Sequence, residues 1–199
     1  ELCVDRIEIA SARVSAGEYE AVKKVARWAH ENGHIDKVEV LGFVDNRTSL
    51  QWIKDAGCRV INLLCKGSEN HCLHQLRKQP EEHLADVCRE SGFANEMGFD
   101  VNIFLEDWSN GMRNSPDYVF FMVDRLQKEK VKRIMLPDTL GILNPSETLQ
   151  FCRQMIERYP GIHFDFHAHN DYDFAVANVY EAVKAGIHGV HVTVNGLGE

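Results

Sequence analysis

Short apolar, β-branched runs alternate along the chain with longer stretches whose apolar residues recur at helical spacing. The short runs predict strands and the stretches of 3.6-residue period predict helices. The predicted strands cover residues 6–10, 38–43, 60–64, 101–105, 133–136, 163–166 and 188–194. The predicted helices cover residues 18–31, 49–56, 81–97, 116–129, 145–159 and 174–185. This alternation predicts a parallel sheet covered by helices.

Capping residues support several of these boundaries. Ser115-Pro116 and Asn144-Pro145 each place a capping side chain before a proline at the first helical position. A glycine that follows a helical pattern commonly takes a left-handed C-cap conformation. The glycines predicted to do so are Gly33, Gly57, Gly98 and Gly186.

Two architectures fit strand–helix alternation: an eight-stranded barrel and an open doubly wound sheet. The glycine-rich fingerprint of a dinucleotide-binding sheet does not follow the first strand, and the chain contains no P-loop. A barrel typically needs about 250 residues and eight strands, whereas this chain has 199 residues and seven predicted strands. We therefore expect an α/β chain with one domain, residues 1–199, that forms a TIM (β/α)8 barrel fragment lacking the first strand and the last helix.

Composition narrows the class of protein. The chain has 30 Asp and Glu against 22 Lys and Arg, and the basic residues are scattered, which argues against nucleic-acid binding. No apolar run approaches the roughly 20 residues of a membrane span. The six cysteines form no Cys-x-x-Cys pair, which favours reduced thiols in a cytoplasmic protein.

Two histidines follow predicted strand 163–166, in the sequence His167-Ala168-His169. The active site of a parallel barrel lies at the C-terminal ends of its strands, and residues i and i+2 of a strand face the same side. His167 and His169 therefore suit a shared divalent metal. The alternative is that they are unrelated surface histidines among the ten in the chain.

Three further strand ends carry polar or glycine residues. Glu106 suits a general base, a metal ligand or an orienting carboxylate, the alternative being a capping or surface acid. Thr139 offers a hydroxyl to a substrate carboxylate and Asp138 suits a bond to a neighbouring strand end, although Pro, Asp and Gly also build turns. The glycines of residues 195–199 allow close approach of a ligand, or form a flexible loop. Their position on one predicted rim favours a site.

The strand-end sequences also carry a family resemblance. Leu-Glu-Asp (105–107), Leu-Pro-Asp-Thr-Leu-Gly (136–141), His-Ala-His-Asn-Asp (167–171) and Asn-Gly-Leu-Gly-Glu (195–199), in this order, resemble the catalytic barrel of the isopropylmalate, homocitrate and citramalate synthases of the DRE-TIM metallolyase superfamily. The resemblance covers essentially the whole chain. Segments 5–14, 41–45, 105–110 and 113–118 are most similar to pyruvate-condensing citramalate synthases.

The resemblance implies roles for the strand-end residues. His167 and His169 would bind a divalent metal ion, Mg²⁺, Mn²⁺ or Zn²⁺. Glu106 would be the catalytic carboxylate near the reacting carbon, and Thr139 would hold the carboxylate of a 2-oxo acid.

The resemblance also implies a pocket for the substituent of the keto acid. Leu41 and Leu64 would wall this pocket, with Phe104 as an aromatic wall where the citramalate synthase pattern has tyrosine. The family's first-strand sequence Asp-x-Thr-Leu-Arg-Asp-Gly, which supplies a third metal ligand and a polarising arginine, is absent from this chain.

The implied activity is a metal-dependent, Claisen-type condensation of acetyl-CoA with a 2-oxo acid. Pyruvate, giving citramalate in branched-chain amino-acid biosynthesis, is the preferred substrate. The alternatives are a 2-isopropylmalate synthase acting on 2-oxoisovalerate and a non-catalytic binding fragment. We expect a cytoplasmic acyltransferase, homodimeric at full length, with no nucleic-acid or membrane partner.

Overall fold

The computed structural model describes residues 3–11 and 15–198. Residues 12–14 of the segment 5–14 and Glu199 of the segment 195–199 therefore lie outside the described residues. Within them the strands form a sheet in chain order, and the pairings of β1 with β2, β2 with β3, β5 with β6 and β6 with β7 are parallel. The strands are β1 (Ile7–Ser11), β2 (Val38–Phe43), β3 (Val60–Lys66), β4 (Asp100–Glu106), β5 (Arg133–Asp138), β6 (Phe164–Ala168) and β7 (Gly189–His191).

Helices connect the strands, as the period of the apolar residues predicts. They are α1 (Ala16–Glu31), α2 (Thr48–Asp55), α3 (Pro80–Glu96), α4 (Trp108–Asn114), α5 (Pro116–Leu126), α6 (Pro145–Arg158) and α7 (Ala175–Ala185). The sequence reading missed α4 and a π-helical turn at His71–Gln75, because neither is long enough to establish a period. Predicted strand 188–194 is wrong in length, since pairing ends at His191. No described helix combines the length and the apolarity that crossing a membrane requires.

The predicted helix ends are confirmed at most positions. The Asn144 side chain accepts from the Glu147 N–H at 3.0 Å, and the Glu147 carboxylate accepts from the Asn144 N–H, which forms a capping box. Gly33, Gly57, Gly98 and Gly186 all have φ between 72° and 101°. Ser115 is a correction: its hydroxyl caps no N–H of α5 and instead accepts from the Glu69 N–H at 3.3 Å.

The chain divides into two compact units, which we call the first unit and the second unit. The first unit comprises Glu1–Cys65, Ala85–Ile103 and Glu129–Val131. Its helix α1 buries Val22, Ala26 and Ala29, which lie on one face at helical spacing. Buried polar groups also occur here: the Asn62 amide donates to Glu39 at 3.1 Å and accepts from the Asn102 amide at 2.8 Å. The single-domain organisation expected from the sequence stays a prediction.

The second unit comprises Lys66–Leu84, Phe104–Lys128 and Lys132–Glu199. The Trp108 ring is buried between Phe151 and Phe166, with ring centroids 6.3 and 6.4 Å away in edge-to-face geometry. Burial of a large apolar side chain stabilises a fold by about 1.5–3 kcal/mol. All five β5 residues after Arg133, Ile134–Asp138, are buried, as expected for a parallel strand covered on both faces.

The backbone of the β3–α3 segment approaches helix α4 closely at two glycines. A Cβ added at Gly111 would overlap the Gly67 carbonyl oxygen and lie 2.8 Å from Val119 Cγ2. Because both obstacles belong to packed elements, Gly111→Ala should lower the free energy of unfolding by about 2–3 kcal/mol. A lowered urea midpoint of the complete protein would report this loss.

A second helical glycine provides the control. A Cβ added at Gly92 in α3 meets no atom within 4 Å, so Gly92→Ala should stabilise the protein by about 0.5–1 kcal/mol. An unchanged urea midpoint in Gly111→Ala would contradict the close packing of Gly111 against Gly67 and Val119, because it would mean that the two backbone segments separate without cost.

Candidate metal and substrate site

Three histidines and one phenylalanine meet at the carboxyl ends of β4, β6 and β7. Strand β6 extends through His167, and His169 follows it directly, with the two rings 5.0 Å apart between centroids. Register pairs His167 with His191 of β7, and their Nδ1 atoms lie 3.2 Å apart. The Phe104 ring packs with its edge against both His167 and His191, at 5.5 Å. The structure thus brings together the two predicted metal ligands and the predicted aromatic wall.

The His167 imidazole is held in its neutral form. Burial lowers its pKa to about 3, with further lowering by the neighbouring His191 and His169. A neutral imidazole is the form that coordinates a metal ion. The lowered pKa of His167 could not be predicted from sequence spacing, because it depends on burial and on a histidine from another strand.

A buried carboxylate lies two residues before His167 on β6. Asp165 accepts from Arg133 at 2.6 Å, and the His163 and His191 rings lie 2.9 and 3.5 Å from its oxygens. Burial raises the pKa of Asp165, but the hydrogen bond with His191 and the charge of Arg133 outweigh burial and leave it below the usual value. Asp165 therefore fixes the orientation of His191, whose other ring nitrogen contacts His167.

Glu106 ends β4 as a half-buried carboxylate. Its Oε2 lies 2.5 Å from the Lys66 ammonium, and its carbonyl oxygen accepts from the Gly67 N–H at 2.6 Å. Oε1 has no hydrogen-bond partner among the described residues. Glu106 therefore presents one oxygen that is already bound and one that is available for chemistry.

The two other acids at these strand ends have structural contacts. Asp107 is buried, accepts from Ser68 at 2.6 Å and from Asn110 at 2.8 Å, and lies 3.4 Å from His71. Asp138 is also buried. Its two oxygens accept from the N–H groups of the loop residues 142 and 143, so its carboxylate does not bond to the neighbouring strand end that the sequence suggested. Its backbone oxygen makes that contact, accepting from the N–H of residue 169 at 3.3 Å.

Thr139 lies half-buried at the end of β5. Its Oγ1 accepts from the Asp107 N–H at 2.8 Å. A hydroxyl has one donor as well as acceptor lone pairs, so this bond fixes the oxygen and leaves its hydrogen free to donate. The arrangement suits the predicted role of binding a substrate carboxylate.

The remaining predicted residues are Leu41, Leu64 and the segment 195–199. Leu41 and Leu64 belong to the first unit, half-buried in neighbouring strands, where Leu41 pairs with Asn62 and Leu64 with Phe43. Their common pocket stays a prediction. Residues 195–198 are exposed, and a short 3-10 turn at Val194–Gly196 includes Asn195 and Gly196 at positive φ.

The donor atoms of His167 and His169 fit a divalent metal ion. His167 Nε2 and both ring nitrogens of His169 have no hydrogen-bond partner in residues 3–11 and 15–198, whereas His167 Nδ1 contacts His191. Within those same residues no group of three or more His, Cys, Asp or Glu side chains is arranged to hold a metal. The role of the two imidazoles as metal ligands therefore stays a prediction.

Two residues at these strand ends, His191 and Lys66, were not predicted from the sequence. His191 sits within the predicted strand 188–194, but its position beside His167 depends on the register in which β7 pairs with β6. Lys66 follows predicted strand 60–64, and only its distance to Glu106 identifies it. An isolated lysine at a strand end carries no sequence signal of this kind.

Comparisons with known proteins agree with the architecture and the resemblance. A family model described as HMGL-like matches residues 1–199. A probable 2-isopropylmalate synthase of Ignicoccus hospitalis is 31% identical over 199 residues, which cover 100% of this chain and 48% of the relative. A homocitrate synthase of Sulfurisphaera tokodaii is 29% identical over 197 residues, covering 98% of this chain and 42% of the relative. The chain spans about half the length of the curated relatives it matches.

Solved structures share the fold. The hydroxymethylglutaryl-CoA lyase of Pseudomonas aeruginosa superposes with a TM-score of 0.78 at 19% identity, covering 98% of this chain and 65% of that chain. The HMG-CoA lyase of Brucella melitensis gives a TM-score of 0.70 at 14% identity, with 98% and 83% covered. The predicted fold class, a parallel β/α fold of the TIM-barrel type, is confirmed.

Proposed function

Because the chain belongs to the HMGL-like family, we propose that it supplies the metal-binding and substrate-binding strand ends of a synthase that condenses acetyl-CoA with a 2-oxo acid. The observation that carries the proposal is the cluster of His167, His169 and His191 against Phe104. Glu106 ends β4 and Thr139 follows β5, in the sheet that carries this cluster. The names of the curated relatives, 2-isopropylmalate synthase and homocitrate synthase, agree with this reaction class.

In this proposal the histidines hold the divalent ion and the other side chains bind and orient the reactants. His167 and His169 bind Mg²⁺, Mn²⁺ or Zn²⁺, and the ion supplies Lewis-acid chemistry at the keto group. The Thr139 hydroxyl donates to the carboxylate of the keto acid. The Phe104 ring excludes water from one side of the imidazoles.

Glu106 is proposed as the catalytic carboxylate. Condensation requires removal of a proton from the acetyl methyl group by a positioned base. Of the three acids at the ends of β4 and β5, Asp107 and Asp138 are buried and use both carboxylate oxygens in hydrogen bonds. Glu106 keeps Oε1 available, so it is the acid of this group that is suited to accept a proton.

We further propose pyruvate as the keto acid, with citramalate as the product in branched-chain amino-acid biosynthesis. The bulk of Leu41 and Leu64 would leave room for the methyl group of pyruvate and crowd an isopropyl group. The second candidate is 2-isopropylmalate synthesis from 2-oxoisovalerate, which the name of the Ignicoccus relative favours. The complete protein is proposed to act as a cytoplasmic homodimer.

Substrate preference tests this assignment. One methylene in an apolar pocket changes the activation free energy by about 1–3 kcal/mol, so the complete protein should prefer pyruvate to 2-oxoisovalerate by about a hundredfold or more in kcat/KM. Leu64→Ala should reduce that ratio by about tenfold, because it removes bulk beside the substituent. Initial rates with both acids at saturating acetyl-CoA provide the ratio.

A leucine that is half-buried, like Leu64, serves as the control. Leu149 is half-buried on α6, and Leu149→Ala should leave the ratio unchanged. Faster turnover of 2-oxoisovalerate than of pyruvate by the wild-type protein would replace citramalate with isopropylmalate as the product. Absence of turnover with either acid would favour a binding role without catalysis.

A further inference from the structure

Lys66, the last residue of β3, places its ammonium group against the carboxylate of Glu106. Nζ and Oε2 are 2.5 Å apart, and the two side chains are only 15% and 22% exposed. Two other lysine–glutamate pairs, Lys23–Glu20 and Lys184–Glu181, instead join residues three apart within one helix. The Lys66–Glu106 pair joins two strands at their carboxyl ends.

The backbone around Lys66 is fixed from several directions. Its N–H donates to His83 Nε2 at 3.0 Å, and its carbonyl oxygen accepts from the Tyr118 hydroxyl at 3.1 Å. The next residue, Gly67, donates its N–H to the Glu106 carbonyl oxygen. A Cβ added at Gly67 would overlap the backbone of Leu105. The ammonium group is therefore carried on a segment that is tied directly to the strand bearing Glu106.

Stability alone does not explain this pair. Removing two charges from water costs several kcal/mol, and replacement of such a pair by apolar residues is often neutral or stabilising. The pair also leaves Oε1 of Glu106 without a partner among the described residues. A lysine that binds one carboxylate oxygen and leaves the other accessible orients the carboxylate without blocking it.

We propose that Lys66 is a positioning residue for Glu106, an inference that rests on the proposed function. Its ammonium group holds Oε2 and so directs Oε1 towards the acetyl methyl group of the bound thioester. Lys66 acts through Glu106 and makes no contact of its own with the keto acid. Its loss should therefore reduce turnover and leave keto-acid recognition intact.

Substitution of Lys66 in the complete, metal-loaded protein tests the proposal. Lys66→Met keeps the length of the side chain and removes the charge, and misplacement of a reacting group by about 1 Å costs about a hundredfold in rate. We expect kcat to fall by about that factor, with KM for pyruvate within about threefold of wild type. Lys66→Arg, which retains a donor and a charge, should recover kcat to within about tenfold of wild type.

Two controls accompany these variants. Lys184→Met removes the lysine of a pair within helix α7 and should leave both kcat and KM unchanged. Lys66→Gln provides the same comparison if Lys66→Met does not fold, as judged by its circular dichroism and urea midpoint.

A double-mutant cycle with Glu106→Gln separates the possible outcomes. If Lys66 acts through Glu106, Lys66→Met adds less than about a threefold loss in the Glu106→Gln background. Three results would each overturn the role proposed for Lys66. They are losses in kcat that multiply in the double variant, a raised KM with unchanged kcat in Lys66→Met, and wild-type turnover in Lys66→Met. Wild-type turnover in Glu106→Gln itself would instead refute the catalytic assignment of Glu106, which belongs to the proposed function.

Discussion

Glu106→Gln in the complete protein should lower kcat by about a thousandfold and leave KM for the keto acid within about threefold of wild type. The amide keeps the shape of the side chain and can still contact Lys66, but it cannot accept the proton of the acetyl methyl group. A thousandfold loss corresponds to about 4 kcal/mol of transition-state stabilisation. Steady-state kinetics with acetyl-CoA and pyruvate, together with binding of pyruvate measured by calorimetry, separate turnover from recognition.

The matched control is another glutamate in an ion pair of similar exposure. Glu147 lies 2.6 Å from Arg113, with side chains 27% and 29% exposed. Glu147→Gln removes the same charge on α6 and should leave kcat unchanged. An unchanged turnover number in Glu106→Gln would exclude Glu106 from the mechanism, whatever its contacts with Lys66.

His167→Ala should remove most metal binding and abolish activity. His167 is one of the two imidazoles proposed as metal ligands, and loss of a group that merely orients a ligand already costs about 10–100-fold in metal affinity. We therefore expect an affinity loss of at least about 100-fold. Metal content after dialysis, measured by mass spectrometry, reports the loss independently of activity.

A second histidine near β6 controls for a general effect of the substitution. His163 stacks on His188 at 4.8 Å and contacts Asp165, but it is not among the proposed ligands. His163→Ala should retain the wild-type metal content. If the double variant carrying His167→Ala and His169→Ala still bound one metal ion per chain, the metal site would be refuted.

The strand–helix order of the fold could be predicted from the sequence because each element has a clear apolar period. Strand β2 has the predicted bounds, and helices α1, α6 and α7 end within one residue of prediction. Helix α4 was missed because its seven residues, WSNGMRN, include a glycine and two asparagines. Its packing depends on the close approach of Gly111 to Gly67, a tertiary contact that no local pattern encodes.

The candidate site could be predicted from the sequence only in part, because contacts between residues on different strands have no local sequence pattern. The rule that active sites lie at the carboxyl ends of parallel strands selected Glu106, Thr139, His167 and His169. It did not identify Lys66 or His191, because their importance arises from neighbours on other strands: Glu106 in one case and His167 in the other. Residue type and position in the sequence identify the side chains at the carboxyl ends of the strands. Strand register and interatomic distances decide which of those side chains interact.

The most direct test of the central claim is release of free CoA from acetyl-CoA by the complete protein, with the 2-oxo acid present or omitted. A thiol reagent follows CoA release continuously, and chromatography identifies the acid that is formed. The account predicts that CoA release requires both a 2-oxo acid and a divalent metal ion, and that one hydroxy dicarboxylic acid forms for each CoA released. Two results would contradict the account. One is CoA release that does not depend on the 2-oxo acid, and the other is no CoA release by the metal-loaded protein with either pyruvate or 2-oxoisovalerate.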